Sequence, residues 1–359
     1  MKKYVTLGEV CTKGSSSIAQ KDIEQNNGSY GIYGASGYIK DVDFYHQDKP
    51  YIAVVKDGAG IGRTMLLPEK TSIIGTMQYL IPNDDVCVEY LYYAVTYMNL
   101  AKYFSGATIP HIYFKDYQKE KLPLLTIEEQ RKIADNLRKI DRLIELCSGI
   151  LQKLDVLVKS RFVEMFGDPE TNPKEWKKEE LKKHADVLVG YPFSSEDYTT
   201  EGIKIVGGYN LMQGFIQWSI SKCWSDTIGF EQYLLQENDI VMAMDRPWVN
   251  GGFKIARIDS EHLPALLIQR TACIRSQKEM EQAFLFYMLD TERFASHCNI
   301  TGSLVPHISN KDINNFKIII PPLELQQQFA AFVEQTDKSK FIAINIKKNI
   351  RRVRLYDQF

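Results

Sequence analysis

The stretch from Ile127 to Phe166 constrains this chain more than any other. It contains no proline and one glycine, Gly149. Within it Ile133, Leu137, Ile140, Ile144, Cys147, Leu151, Leu154 and Val158 step alternately by four and three residues. That is the 3.5-residue period of a coiled-coil seam. At about 1.5 Å per residue the stretch makes a helical rod about 60 Å long. A globular domain rarely needs such a helix, and a rod with one narrow apolar seam needs a partner.

An internal repeat supplies the partner. Gly106-Ala-Thr-Ile-Pro-His-Ile112 matches Gly302-Ser-Leu-Val-Pro-His-Ile308 at an offset of 196 residues. Carried on without gaps, the offset pairs Lys115-Asp116 with Lys311-Asp312, Gln130 with Gln326, Ala134 with Ala330 and Asp141 with Asp337. It therefore predicts a second rod from about Pro322 to Phe359. In that rod Phe329, Val333, Ile342, Ile346, Ile350 and Val353 suggest an apolar face, interrupted by Thr336 and Lys340. Two arrangements fit: an antiparallel helix pair, or two amphipathic helices each packed on its own domain.

Between the rods the chain alternates. Tyr51-Ile-Ala-Val-Val55 and Asp239-Ile-Val-Met-Ala-Met244 read as buried strands in matching roles. Each runs into a glycine-containing loop, Lys56 to Arg63 and Asp245 to Lys254. An aromatic-rich helix is expected over Glu89–Phe104, and its counterpart over Glu281–Phe294. Lys177, Lys178, Lys182 and Lys183, interleaved with Glu175, Glu179 and Glu180, suggest a solvated helix. Gly167, Pro169 and Pro173 end the first rod. The expected divisions are 1–124, a first mixed domain; 125–166, the first rod; 167–321, a second mixed domain; and 322–359, the second rod. The fold class is α+β with an internal pseudo-two-fold repeat.

Composition narrows the function. The 359 residues carry a net charge of −1, so a nucleic-acid site must be a local patch. Six cysteines form no CxxC pair, which points to a reducing compartment and no zinc cluster. There is no signal-peptide core and no 18-residue apolar run, so a cytoplasmic chain outside any membrane is expected. A Walker loop and a methyltransferase Asn-Pro-Pro-Tyr motif are both missing; Ile320-Pro-Pro-Leu323 has no amide or carboxylate before its prolines.

The motifs that remain are loops. Gly58-Ala-Gly60-Ile-Gly62 has neither the spacing nor the following helix of a dinucleotide turn. It is a tight turn, or a loop that brings Lys56 and Arg63 to a DNA groove. In the second loop Arg246, Trp248 and Asn250 suit base edges, while Lys254, Arg257 and Arg270 suit phosphates. The competing account there is a buried tryptophan and a structural ion pair. Pro110-His111 and Pro306-His307 read as proline-fixed turns whose imidazoles bond backbone, or as polar contacts to DNA or a partner. The basic run Lys347, Lys348, Arg351, Arg352 and Arg354 is a solvated rod face or a phosphate contact.

Taken together, the Gly-x-x-x-Pro-His-Ile lead-ins, Leu122-Pro-Leu-Leu-Thr-Ile-Glu-Glu-Gln-Arg-Lys-Ile133, Ile318-Ile-Ile-Pro-Pro-Leu-Glu-Leu-Gln326 and Ser160-Arg-Phe-Val-Glu-Met-Phe-Gly-Asp-Pro169 resemble the specificity subunits of Type I restriction-modification systems over nearly the whole chain. Leu125-Thr126 departs from the pattern, standing where the second copy has Pro321-Pro322. The resemblance implies two target recognition domains, each reading half of a split double-stranded DNA site. It implies two rods that set the spacing and dock two methylation subunits, with restriction subunits as further partners. S-adenosylmethionine would then sit on the methylation subunits, and this chain would hold no cofactor and no catalytic residue. A coiled-coil scaffold with no DNA role is the alternative; a nuclease or fused methyltransferase is disfavoured by the missing motifs.

Overall fold

A computed structural model describes residues 3–106, 110–249, 252–298 and 307–350, and the backbone of 351–356. It divides into two compact units: residues 1–148 with 344–359, and residues 149–343.

In the first unit the strand Tyr51–Val55 is buried along its whole length, as its unbroken apolar run requires. It lies inside a four-stranded antiparallel sheet ordered Cys11–Ser15, Met77–Pro82, Tyr51–Val55, Thr64–Leu67. A three-stranded sheet joins Gly37–Val42 antiparallel and Ser72–Ile73 parallel to Tyr30–Gly34. A two-stranded ribbon pairs Lys3–Thr6 with Lys121–Leu124, immediately before the first rod. The aromatic helix runs Val88–Tyr97 and gives way at Asn99, in the left-handed region, to a 3-10 turn Leu100–Tyr103.

The second unit has the same plan. Its four-stranded antiparallel sheet is ordered Ala185–Val189, Thr271–Ser276, Ile240–Ala243, Ile255–Arg257. Its three-stranded sheet joins Cys223–Trp224 antiparallel and Ala265–Leu267 parallel to Ile203–Val206. Its ribbon pairs Lys177–Glu180 with Lys317–Ile320 before the second rod. The charged segment expected to be helical is therefore a strand through Glu180. Its pairing with Lys317–Ile320 outweighs the weak local preference of alternating lysine and glutamate. Glu179 is tied to Lys177 and to His184 Nε2 at 2.7 Å, which hold its carboxyl down at about 2. The segment expected as one helix over Glu281–Phe294 is two, Gln282–Leu289 and Glu292–His297.

The first rod is one helix, Ile127–Phe166, and the second is Leu323–Tyr356. Gly167, at φ +77°, closes the first by donating to Val163 O at 2.8 Å. In the second unit the two run antiparallel: Phe162 packs on Phe329, Arg161 lies over Phe332, and Asp155 pairs with Lys340 at 2.7 Å. The seam does not face a partner helix throughout. Ile133, Leu137 and Ile140 pack into the first unit's core, and Val158 into the second unit's.

The second rod's face also differs from expectation. Phe329, Val333, Thr336 and Ala343 are buried, and the Lys340 side chain is largely so, whereas Ile342 and Ile346 are exposed. Positions 329, 333, 336, 340 and 343 keep the heptad step. Thr336 and Lys340 thus belong to the seam. Thr336 Oγ1 satisfies itself on Phe332 O at 2.9 Å, and Lys340 on Asp155.

Each domain-to-rod joint is built around a fully buried glutamine. Gln130 Oε1 accepts from Cys87 N at 2.8 Å, and its Nε2 donates to Leu125 O at 2.9 Å and Asp85 O at 3.2 Å. Gln326 Oε1 accepts from Glu281 N at 3.0 Å, and its Nε2 donates to Pro321 O at 2.9 Å. Cys87 and Glu281 each cap the aromatic helix of their unit.

Candidate nucleic-acid interface

In the first unit the chain leaves the central strand at Lys56 and returns at Arg63. Gly62 N donates to Val55 O at 2.8 Å, and Val55 N to Arg63 O at 2.9 Å, closing the loop as a hairpin. Gly62 has φ +78°, and a Cβ there would lie 2.4 Å from Ala101 N, so only glycine allows this approach. The Pro110–Ile112 segment lies along the loop: Gly58 N donates to Pro110 O and Ile112 N to Lys56 O, both at 2.9 Å.

The side chains follow from that backbone. Asp57 accepts from Lys56 Nζ and from His111 Nδ1, the latter at 2.7 Å. Burial pushes the Asp57 carboxyl up, but the Lys56 and His111 hydrogen bonds outweigh it and hold it below the usual carboxylate range. Arg63 is exposed and donates to Ala35 O at 3.0 Å. Tyr113, half exposed, stacks against His111 and carries Lys115 over its ring.

The second unit repeats this frame with other residues. Ile308 N donates to Met244 O at 2.8 Å, as Ile112 N does to Lys56 O. Asp245 accepts from His307 Nδ1 and from Arg270 Nη1, the latter at 3.1 Å. Arg246 is exposed at φ +45°. Trp248 lies on a short hairpin formed by Trp248–Val249 and Gly252–Phe253, stacked on Phe253 and still 39% exposed. Lys254 donates to Gly208 O at 2.7 Å; burial, and then Arg246, lowers its pKa from the ordinary lysine value.

The structure therefore gathers Lys56 and Arg63 on one loop, and Arg246, Trp248, Lys254 and Arg270 around the other. Arg257 is set apart: it pairs with Asp337 of the second rod and lies over Phe286. Asn250 and the Arg351, Arg352 and Arg354 side chains lie outside the described residues. The two histidines do not bond backbone through Nδ1; each takes an aspartate. Sequence reasoning missed those carboxylates, although Asp57 and Asp245 follow the observed strands Tyr51–Val55 and Ile240–Ala243 at equal distance. Cations and aromatic rings on projecting loops suit phosphate contact and groove reading. Among the described residues no group of His, Cys, Asp or Glu is placed to hold a metal ion, and no described helix is long and apolar enough to cross a membrane.

Comparison with known proteins gives a consistent result. Residues 2–156 and 173–352 match the family model of the Type I restriction modification DNA specificity domain. The chain is 27% identical over 323 residues to the Type I restriction enzyme MjaVIII specificity subunit of Methanocaldococcus jannaschii, covering 84% of this chain and 76% of that one. It is 31% identical over 184 residues to the EcoAI specificity subunit of Escherichia coli, covering 49% of this chain and 31% of that one. The crystal structure of the S subunit of the Type I restriction-modification system from M. genitalium shares the fold, with a TM-score of 0.59 at 16% identity over 98% of this chain and 93% of that one.

Proposed function

This chain belongs to the Type I restriction-modification DNA specificity family, and on that premise we propose that it is the non-catalytic subunit that chooses the DNA sequence for a methylation and restriction complex. Each globular domain reads one half of a split, asymmetric site in double-stranded DNA. The observation that carries this reading is the repeat itself: two domains of one strand plan, whose equivalent loops carry different side chains. Lys56 and Arg63 stand on one; Arg246, Trp248, Lys254 and Arg270 stand on the other. One plan with two loop chemistries suits two unlike half-sites.

The rods set the half-site separation and carry two methylation subunits, which bring S-adenosylmethionine. Leu143, Leu146, Ile150 and Leu157 of the first rod are exposed at heptad spacing, a second apolar stripe of the kind that takes a helical partner.

The test is selection from a random duplex library by the chain purified with its methylation subunits, at several salt concentrations. Enrichment of two fixed half-sites at one spacing supports the reading. Deleting seven residues from both rods then shifts that spacing. No enrichment and no salt dependence favours a scaffold without DNA reading.

A further inference from the structure

His111 and His307 occupy equivalent positions beside loops that have diverged almost completely. Lys56-Asp-Gly-Ala-Gly60 faces one, and Met244-Asp-Arg-Pro-Trp248 the other; the aspartate is what the two share. In both, the imidazole Nδ1 donates to that aspartate, and the same aspartate also takes a cation, Lys56 or Arg270. The backbone does not need this pair to hold the segments together, because the Ile112–Lys56 and Ile308–Met244 hydrogen bonds already do so. Partly exposed ion pairs add little stability. What the pair does fix is direction: with Nδ1 committed to the carboxylate, Nε2 is the nitrogen left for another partner. The two side chains are 37% and 55% exposed.

We propose that His111 and His307 are DNA-phosphate contacts, one per reader, each oriented by its aspartate, and that their protonation couples DNA affinity to pH. The proposal rests on the DNA-reading function above. With a neutral imidazole, each cation–aspartate–histidine cluster has no net charge and turns a lone pair outward. With an imidazolium it is singly positive and presents an N–H. A phosphate favours the second form. The other groups in view do not reverse this. Tyr113 stacks on His111 and carries Lys115 over its ring. Asp312 interacts with His307 and also with His297. A contact that favours the imidazolium is tighter in acid and weakens as pH rises.

The experiment measures fluorescence anisotropy of the selected duplex with the complex, at fixed salt, from pH 6 to 8. Loss of the imidazolium–phosphate contact weakens wild-type binding up to about tenfold for each histidine across that range. The His111→Gln/His307→Gln variant holds the weaker affinity at every pH and loses the slope. A uniform loss of affinity with the slope intact would make the pair a structural pin and overturn the proposal. A second measurement needs no variant: bound duplex protects both histidines of the wild-type protein from diethyl pyrocarbonate, scored by mass spectrometry. Unchanged modification in the presence of bound DNA also overturns it. Failure to bind any duplex with a salt dependence refutes the underlying function and the proposal with it. Salt-dependent binding with a flat pH profile refutes the proposal alone.

Discussion

Replacing Gln326 with leucine tests whether the buried glutamine holds the second reader to its rod. The side chain is fully buried, so leucine of similar volume leaves packing nearly intact. Two backbone groups lose their partners. Pro321 O sits in a buried residue, and an orphaned buried acceptor costs about 1–2 kcal/mol. Glu281 N is only part-buried, so water partly replaces Oε1 and the cost falls to about 0.5–1 kcal/mol. The sum is about 2 kcal/mol. Gln326→Glu separates the two: it keeps the acceptor for Glu281 N but turns a carboxylate oxygen toward Pro321 O. It is therefore as damaging as leucine at neutral pH and recovers in acid, once protonated. Urea unfolding followed by tryptophan fluorescence reports the second unit, because all four tryptophans, Trp176, Trp218, Trp224 and Trp248, lie in it. A change below about 0.5 kcal/mol for Gln326→Leu, or no acid recovery for Gln326→Glu, would refute the reasoning.

Gly62→Ala must carry both a φ of +78° and a 2.4 Å clash with Ala101 N, and should cost more than about 2 kcal/mol; Gly58→Ala, with φ +91° and open space, should cost about half as much, both read by urea unfolding followed by circular dichroism because the first unit holds no tryptophan. Lys340→Met replaces a seam cation with a side chain of similar shape and should leave the denaturation midpoint unchanged or raise it, whereas Asp155→Ala, which leaves Lys340 only the longer 3.7 Å contact with Asp337, should lower stability by less than about 1 kcal/mol. The Glu179 carboxyl is held near 2 by Lys177 first and His184 second, so its contribution is present above its unfolded pKa, near 4.5, and disappears as pH falls toward 2; Glu179→Gln should flatten that part of the acid-unfolding curve.

The rods and their repeat were legible because a heptad pattern is a property of spacing alone. The same criterion misjudged the second rod where it was applied to hydrophobicity instead of position. Ile342 and Ile346 looked like seam residues and face solvent, while Thr336 and Lys340 looked like interruptions and are enclosed. A helix lets a threonine bond its own backbone and a lysine reach an aspartate on the neighbouring helix, so polar residues can occupy a seam. The strand Lys177–Glu180 was invisible for another reason: its partner, Lys317–Ile320, lies far along the chain, and nothing local marks either as paired. The aspartates that orient His111 and His307 were hidden likewise. Each stands more than 50 residues from its imidazole. Only the common strand-to-loop position of Asp57 and Asp245 hinted at them.

The glutamine joints carry one more consequence. Every hydrogen bond that Gln130 and Gln326 make goes to a main-chain atom: Cys87 N, Asp85 O and Leu125 O in one case, Glu281 N and Pro321 O in the other. Cysteine and glutamate fill the same capping position with equal success. The socket is indifferent to the identity of what is plugged into it, and asks only for a helix beginning at the right place. A recognition module of foreign sequence, grafted between the ribbon strands, can make these same hydrogen bonds, so what it must match is the apolar packing on Ile133, Leu137, Ile140 and Val158 rather than the joint itself.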